Sequence, residues 1–201
     1  YMVPEVFPDL GDIFAPGAKV IHIDLNAYEI AKNHPVDLGL VADPKVTLAA
    51  IARLLEERLT EEQTRAAAAR TVALANAKNR RLAEERRRDA AGSGSTPLQF
   101  ADFAAELARQ APADTIFFDE ALTNSPALTR YCTPTEPGSF FQTRGGSLGV
   151  GIPGAIGAKF AHPERTVFGF SGDGGSMYTI QALWTAARHN IGAKFVICNN
   201  R

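Results

Sequence analysis

The sequence has few of the features that mark secreted or membrane-inserted proteins. Only two cysteines, Cys132 and Cys198, occur in 201 residues, and their separation matches no metal-binding spacing. Their scarcity favours a reducing compartment, which predicts a cytoplasmic protein in which both thiols act as small buried apolar groups. No apolar run approaches the roughly 20 residues that a helix needs to cross a bilayer. A membrane location is therefore not expected.

The sequence also has no large excess of positive or negative charge. The formal net charge is −1, and no basic patch with interleaved aromatic residues occurs, so the composition gives no support for nucleic-acid binding. Hydrophobic residues make up 45% of the chain and charged residues 21%, which is ordinary for a globular protein with a core. The expected partner is thus a small molecule, which the motifs below must identify.

Residues 1–59 are expected to form the C-terminal part of a nucleotide-type α/β domain. A buried strand is predicted at 19–25 and a second short strand at 38–42, with a short helical stretch between them. Asp43 is the predicted N-cap of the next helix, and Pro44 its first residue. This alternation of strands and helices is typical of an open parallel sheet.

Residues 60–95 change in composition to Ala, Glu and Arg, which predicts a helical linker. The basic cluster at 86–88 suggests an arm for an acidic partner, but neighbouring acidic residues dilute its charge. A solvated helix between domains is the favoured interpretation. The Gly- and Ser-rich segment 91–95 is expected to break the helix and mark the domain boundary.

Residues 96–201 are expected to form the N-terminal part of a second α/β domain. The segment 148–159 is small and apolar, and its glycines at 149, 151, 154 and 157 are expected to permit close packing. The predicted strands lie at 115–118, 166–170 and 194–197, and the predicted helices at 99–110 and 177–189. The whole chain is therefore predicted to be α/β, with parallel open sheets and helices on both faces.

One pattern in this second domain carries chemistry. Asp173 follows a predicted strand and precedes Gly174 and Gly175, while Asn199 and Asn200 follow the next strand. Oxygen donors at neighbouring strand ends suit Mg²⁺, and glycine amides beside a helix start suit phosphate. The alternative is a capping turn followed by a polar strand end. The sequence thus predicts a magnesium–diphosphate site.

These residues resemble the signature of thiamine diphosphate-dependent enzymes of the decarboxylase and acetolactate synthase type. The segments 178–191 and 137–149 are similar to benzoylformate decarboxylase, whereas 20–33 is more similar to the middle domain of acetolactate synthases. The resemblance covers nearly the whole chain. It implies thiamine diphosphate and Mg²⁺ as cofactors, with FAD as a further cofactor if the chain is of the acetolactate synthase type.

The resemblance also implies roles for particular residues. Asp173 and Asn200 would hold Mg²⁺, and a third ligand would lie past Arg201. Leu148 would support the bent cofactor, and the Gly146 carbonyl would accept a hydrogen bond from its aminopyrimidine. The implied cofactor-binding residues are Gly146, Leu148, Gly172, Asp173, Gly174, Gly175, Ser176, Thr123 and Asn200.

The implied function is that of a fragment of a thiamine diphosphate- and Mg²⁺-dependent enzyme that decarboxylates or ligates 2-keto acids. The alternatives are an acetolactate synthase-like transferase with FAD and, in a different class, a non-catalytic nucleotide- or partner-binding module. No catalytic residue is expected here, because the catalytic glutamate of the family lies in an N-terminal pyrimidine domain that the sequence lacks. This piece alone is expected to be inactive, and the full-length protein to be a homodimer or homotetramer.

Some polar residues have a simpler explanation. Glu120 could be a general base, but a structural role at a strand end is favoured. His22 and His189 are expected to be structural, the latter at a helix C-terminus where a cation is favourable. Trp184 is expected to pack in the core.

Overall fold

The structure is a computed structural model that describes residues 13–143 and 146–199. The chain divides into two compact units, Tyr1–Ala77 and Lys78–Arg201. Among the described residues, no helix has the length and apolar character that crossing a membrane requires.

The first unit contains two parallel strands and two helical segments before the long helix that follows. The strands are aligned with Ile21 beside Leu38. The elements are β1 (Ile21–Asp24), a 3₁₀ turn (Ala27–Glu29), β2 (Leu38–Val41) and α1 (Pro44–Arg58). The Asp43 carboxylate accepts a hydrogen bond of 3.0 Å from the Val46 amide, which confirms the predicted N-cap.

Helix α2 (Glu61–Gly92) begins in the first unit and continues into the second. Thr60 and Gln63 form a reciprocal capping box, in which each side chain accepts a hydrogen bond from the other residue's amide. The helix ends at Gly92 and so extends into the segment predicted to break it. Gly92 occupies the last position, where the absence of a side chain is tolerated.

The second unit is built on a four-stranded sheet in which every strand is parallel to its neighbours. The strand order is β4-β3-β5-β6, as expected for an open α/β sheet. The elements are α3 (Phe100–Gln110), β3 (Ile116–Glu120), a 3₁₀ turn (Leu122–Asn124), α4 (Ser125–Tyr131), β4 (Phe140–Gln142), α5 (Gly151–Ala161), β5 (Val167–Gly172), α6 (Asp173–Met177), α7 (Ala182–Arg188) and β6 (Lys194–Cys198).

Apolar layers cover both faces of this sheet, because successive strand residues point to opposite sides. On one face, Phe170 and Leu128 are fully buried among aromatic side chains of α3 and the strands. On the other face, Ile116 and Val167 pack with Ala155 of α5. This arrangement confirms the predicted fold class.

The glycines of α5 have the predicted packing role at some positions only. A Cβ atom at Gly154 would lie 2.2 Å from Cζ of Phe118, so the helix approaches β3 too closely for any side chain. A Cβ at Gly157, by contrast, would meet nothing within 4 Å. The expectation of close packing is therefore wrong for Gly157.

The continuous helix predicted from Met177 to about His189 is also wrong. Two short helices, α6 and α7, are separated by a turn over 178–181. The Thr179 hydroxyl donates to the carbonyl of Gly149, and a β-branched residue contributes little to helix propensity. This tertiary contact fixes Thr179 in the turn.

The C-terminal half of α2 is bound to α4 by a charged cluster. The Arg130 guanidinium contacts Glu85 at 3.1 Å and Asp89 at 2.6 Å, and its side chain is only 13% exposed. The Tyr131 hydroxyl also donates to Asp89, while Arg86 donates to the Arg130 carbonyl. This end of α2 is therefore not the solvated linker that the composition suggested, and Arg86 is engaged within the unit.

Candidate functional site

The carboxyl ends of all four strands of the second unit lie at one edge of the sheet, because the strands are parallel. The chain passes from β3 to β4 on one side and from β5 to β6 on the other, so β3 and β5 flank a topological switch point. Open α/β sheets bind ligands in the crevice at this point. Thr123 follows β3, Gly146 and Leu148 follow β4, and Asp173 follows β5. The structure thus brings these four residues of the predicted site to one edge.

Asp173 is the first residue of α6 and is partly exposed. The amides of the first helical turn have no partner within a helix, so they are available to an anion. A Cβ at Gly174 would meet nothing within 4 Å, and Gly174 is exposed. The Asp173–Gly174 segment therefore presents a carboxylate and an accessible backbone to the crevice.

Gly175 and Ser176 are turned inward. A Cβ at Gly175 would lie 3.0 Å from Oε1 of Glu120, and both residues are buried. The Ser176 hydroxyl donates to the Asp173 carbonyl at 2.7 Å. The hydroxyl that the sequence suggested as a diphosphate contact is therefore used within the turn.

The turn after β3 has an unusual backbone. Leu122 has a φ of 50°, a left-handed conformation that costs a residue with a Cβ roughly 1–2 kcal/mol. Both Leu122 and Thr123 are exposed. Such strain persists only where surrounding contacts enforce it, and it is enriched at functional sites.

Asp119 supplies the contacts that enforce this turn. Its carboxylate is buried and accepts hydrogen bonds of 2.9 Å from the Ala121 amide and from the Ser125 hydroxyl. The second oxygen accepts a hydrogen bond of 3.0 Å from Gln142 of β4. A buried carboxylate needs such donors because burial removes its contacts with water. Asp119 thus joins the turn after β3 to the neighbouring strand.

Glu120 makes the corresponding contacts on the opposite face of β3. Only 1% of the residue is exposed. Its two carboxylate oxygens accept hydrogen bonds from different amides, Oε1 from Gly149 and Oε2 from Gly151. A general base must come within hydrogen-bond distance of the proton it accepts, and burial keeps this carboxylate away from a ligand in the crevice. This geometry favours the structural role predicted for Glu120 over that of a general base.

The glycine loop, defined here as residues 146–151, connects β4 to α5. Gly146 and Gly149 have φ values of 70° and 89°, which glycine adopts without strain. A Cβ at Gly149 would lie 2.7 Å from Cβ of Tyr178, so a side chain is excluded there. Leu148 is 42% exposed although it is a large apolar residue. The loop therefore presents Leu148 outward from a backbone that is fixed on both sides.

Cys198 ends β6 near the same edge. Burial raises the pKa of its thiol, while a hydrogen bond with Asn124 lowers it and the nearby Asp119 charge raises it. The thiol is therefore kept protonated near neutral pH and is not an activated nucleophile.

The metal-site prediction can be followed only in part. Asn200 and Arg201 lie outside the described residues, so the predicted pairing of Asp173 with Asn200 stays a prediction. Within the described part of the chain, no three His, Cys, Asp or Glu side chains converge as a metal site.

The sequence did not indicate a role for Asp119, and it did not predict the hydrogen-bond partners of Glu120. The available signal was an acidic pair at the end of the apolar strand 115–118, since buried carboxylates need hydrogen-bond donors. The residues that provide those donors lie up to 31 positions away along the chain, and no local pattern indicates them.

The second unit belongs to the class of open, parallel α/β domains that bind ligands at the carboxyl edge of the sheet. Residues 123–201 match the family described as thiamine pyrophosphate enzyme, C-terminal TPP binding domain. Benzoylformate decarboxylase of Pseudomonas aeruginosa is 35% identical over 190 residues, which cover 94% of this chain and 32% of that protein. A probable acetolactate synthase large subunit of Methanococcus aeolicus is 30% identical over 201 residues, which cover 95% and 33%.

A solved structure of a thiamine diphosphate-dependent enzyme is also similar to this chain. The thiamine diphosphate-dependent 4-hydroxybenzoylformate decarboxylase of Rhodococcus jostii RHA1 superposes with a TM-score of 0.64 at 26% identity, covering 94% of this chain and 32% of that chain. The match of residues 123–201 to the TPP binding domain and the similarity of 94% of the chain to these enzymes confirm the predicted resemblance to the thiamine diphosphate-dependent enzyme family. The chain spans about a third of the length of the curated relatives it matches.

The described residues fit a diphosphate with a divalent cation at the crevice. Asp173 offers a hard oxygen donor of the kind that Mg²⁺ prefers. Open space beside Gly174 allows a phosphate to approach the first-turn amides. Leu148 offers an exposed apolar side chain after β4, at the same edge of the sheet, which suits a ring system better than a phosphate.

Proposed function

We propose that this chain forms the thiamine diphosphate- and Mg²⁺-binding part of an enzyme that decarboxylates or ligates 2-keto acids. The observation that carries the proposal is the convergence of Asp173, Gly174, Leu148 and Thr123 at the carboxyl edge of one parallel sheet. When bound, thiamine diphosphate supplies the electron sink for cleavage or formation of a carbon–carbon bond beside a carbonyl.

In this proposal the chain binds and orients the cofactor. Asp173, with Asn200, holds Mg²⁺, and the amides that follow Asp173 bind the diphosphate, with Gly172 providing the extended entry to the turn. Gly175 and Ser176 contribute backbone, since the Ser176 hydroxyl is engaged internally. Thr123 is the exposed hydroxyl at the end of β3. Gly146 and Leu148 contact the aminopyrimidine and thiazolium portion.

Two alternatives are distinguishable. The similarity to an acetolactate synthase large subunit favours a transferase with FAD bound to the central domain as the second candidate. A binding module without turnover would bind thiamine diphosphate, but the complete protein would not consume a 2-keto acid. Flavin absorbance in the purified complete protein would support the first alternative. Consumption of a 2-keto acid by the complete protein would exclude the second.

The proposal extends to organisation of the whole protein. Residues 1–59 would be the end of a central domain and 96–201 the start of the cofactor-binding domain, with 60–95 a helical linker whose C-terminal end is bound to α4. The full-length protein would be a cytoplasmic homodimer or homotetramer, and the piece described here would be inactive alone. Sedimentation and turnover measurements on the longer protein test these points.

The direct test is calorimetric titration of thiamine diphosphate in the presence of Mg²⁺ into the wild-type chain and its Asp173→Ala variant. Loss of a metal-binding carboxylate should weaken cofactor binding by more than the roughly 10–100-fold that loss of an outer contact costs. Asp114→Ala is the matched control, because Asp114 is exposed before the amino end of β3. Equal affinity of the wild-type chain and the Asp173 variant would refute the metal role.

A further inference from the structure

The two oxygens of Glu120 bind the glycine loop at separate points. Oε1 accepts from the Gly149 amide and Oε2 from the Gly151 amide. Hydrogen bonds to a charged acceptor are stronger than those between neutral groups. Because the acceptor is buried and comes from β3, these bonds fix the loop to the centre of the sheet.

The Gly149 hydrogen bond also determines the orientation of Leu148. The Gly149 N–H and the Leu148 C=O belong to one planar peptide unit. The hydrogen-bond acceptor of this N–H therefore fixes the orientation of the peptide plane that contains the Leu148 carbonyl. On the far side of Gly149, its carbonyl accepts the Thr179 hydroxyl. Gly149 is therefore held at both its amide and its carbonyl, and Leu148 projects from a fixed backbone.

We propose that Glu120 is a positioning residue whose buried carboxylate orients the glycine loop so that Leu148 and Gly146 meet the ring portion of the cofactor. This inference rests on the proposed function, since it assigns Glu120 a part in binding thiamine diphosphate. Glu120 contacts neither the substrate nor the cofactor itself. It acts through Gly149 and Gly151, and its effect falls on the ring end of the ligand rather than on the diphosphate.

The chain offers a matched pair of isosteric substitutions. In Glu120→Gln, one carboxylate oxygen becomes an NH₂ group that faces an amide donor, so one hydrogen bond is lost and two donors oppose each other. In Asp119→Asn, the new NH₂ group faces the Gln142 side chain, whose amide can rotate to accept it. Both positions are buried carboxylates on β3, so the two variants differ in the group they face.

The test compares two probes, thiamine diphosphate and inorganic pyrophosphate, each titrated calorimetrically with Mg²⁺. Glu120→Gln should weaken thiamine diphosphate binding by about 10- to 100-fold, since it removes a charge-assisted hydrogen bond. Pyrophosphate affinity should stay at the wild-type value, because that probe lacks the ring portion. Asp119→Asn keeps the oxygen that accepts from the Ala121 amide and the Ser125 hydroxyl, so the turn after β3 is retained and both affinities should stay at their wild-type values. A defect of folding alone would weaken both probes together.

A second readout needs no cofactor. Amide hydrogen exchange at Gly149 and Gly151 should be faster in Glu120→Gln than in the wild-type chain, and unchanged in Asp119→Asn. If Glu120→Gln does not fold, Thr179→Val replaces it, because it removes the hydroxyl bound to the Gly149 carbonyl. Thr179→Val should then lower thiamine diphosphate affinity selectively as well.

The outcomes are distinguishable. A selective loss of thiamine diphosphate affinity with faster exchange at Gly149 and Gly151 supports the inference. Wild-type affinity in Glu120→Gln, equal losses for both probes, or an equal effect of Asp119→Asn overturns it while leaving the proposed function intact. Failure of the wild-type chain to bind thiamine diphosphate would overturn the proposed function, and the inference with it.

Discussion

Ser171 carries a buried hydroxyl that has no hydrogen-bond partner within the described part of the chain. An unsatisfied buried donor costs about 1–3 kcal/mol. Ser171→Ala should therefore preserve or increase the free energy of unfolding. Ser176→Ala is the control, because that buried hydroxyl donates to the Asp173 carbonyl and its loss should cost about 1 kcal/mol. Urea denaturation checks both, and a loss of stability in Ser171→Ala would contradict the expectation.

Cys132 gives a prediction for alkaline pH. Burial raises the pKa of its thiol from 9.0 to about 11. The unfolded chain ionises this thiol first, so the stability it contributes is complete below pH 9 and decreases as the pH rises towards about 11. Cys132→Ala should flatten the decline of unfolding free energy over this interval. Urea midpoints measured in a reducing buffer test it.

Two other groups determine how the unfolding free energy of the Cys132→Ala variant still decreases with rising pH. Burial raises the pKa of the Tyr131 phenol, with a further contribution from its hydrogen bond to Asp89. The pKa of Cys198 is raised in the same direction. An unchanged slope in Cys132→Ala would show that the Cys132 thiol does not contribute.

At the scale of secondary-structure elements, Arg130 joins α4 to the end of α2. Its guanidinium lies between two partly buried carboxylates, those of Glu85 and Asp89. Arg130→Met should reduce the free energy of unfolding by about 2–4 kcal/mol, because it leaves both carboxylates without their cation. Arg65→Met is the control, since the Arg65 side chain is 72% exposed beside Glu61 and should change stability by about 0.5 kcal/mol or less. Thermal or urea denaturation of both variants measures the difference.

The elements that the sequence predicted well are those that depend on local pattern. The apolar run before Asp119 predicts a buried strand, and Asp43 with Pro44 predicts a helix start, because period and capping chemistry act over a few residues. The break between α6 and α7 was missed because it depends on Thr179 reaching the Gly149 carbonyl, 30 positions away.

In the candidate site, too, features set by adjacent residues could be predicted and contacts between distant residues could not. The Asp173–Gly174 turn could be recognised because its residues are adjacent in sequence. The hydrogen-bond partners of Glu120 could not be predicted, because Gly149 lies on the connection between β4 and α5 and Gly151 begins α5. Contacts across a sheet become visible only when the strand order is known.

At the scale of the whole molecule, the compact second unit begins at Lys78, within α2. The sequence placed the boundary at residue 96 instead, which would remove the carboxylates that bind Arg130. A chain of residues 78–201 should therefore be more stable than one of residues 96–201. Circular dichroism with urea titration of both chains tests this, and equal stability would support the boundary at 96.

The two buried carboxylates on adjacent positions of β3 have a consequence for strand alignment. Asp119 points to the α4 face and Glu120 to the α5 face, and each finds hydrogen-bond donors only on its own side. A shift of β3 by one residue against β5 would exchange their faces, and each carboxylate would then be buried without its donors. Neighbouring apolar residues alone would tolerate such slippage more readily. The acidic pair therefore discriminates against a misaligned sheet and helps to specify which residues of β3 face α4 and which face α5.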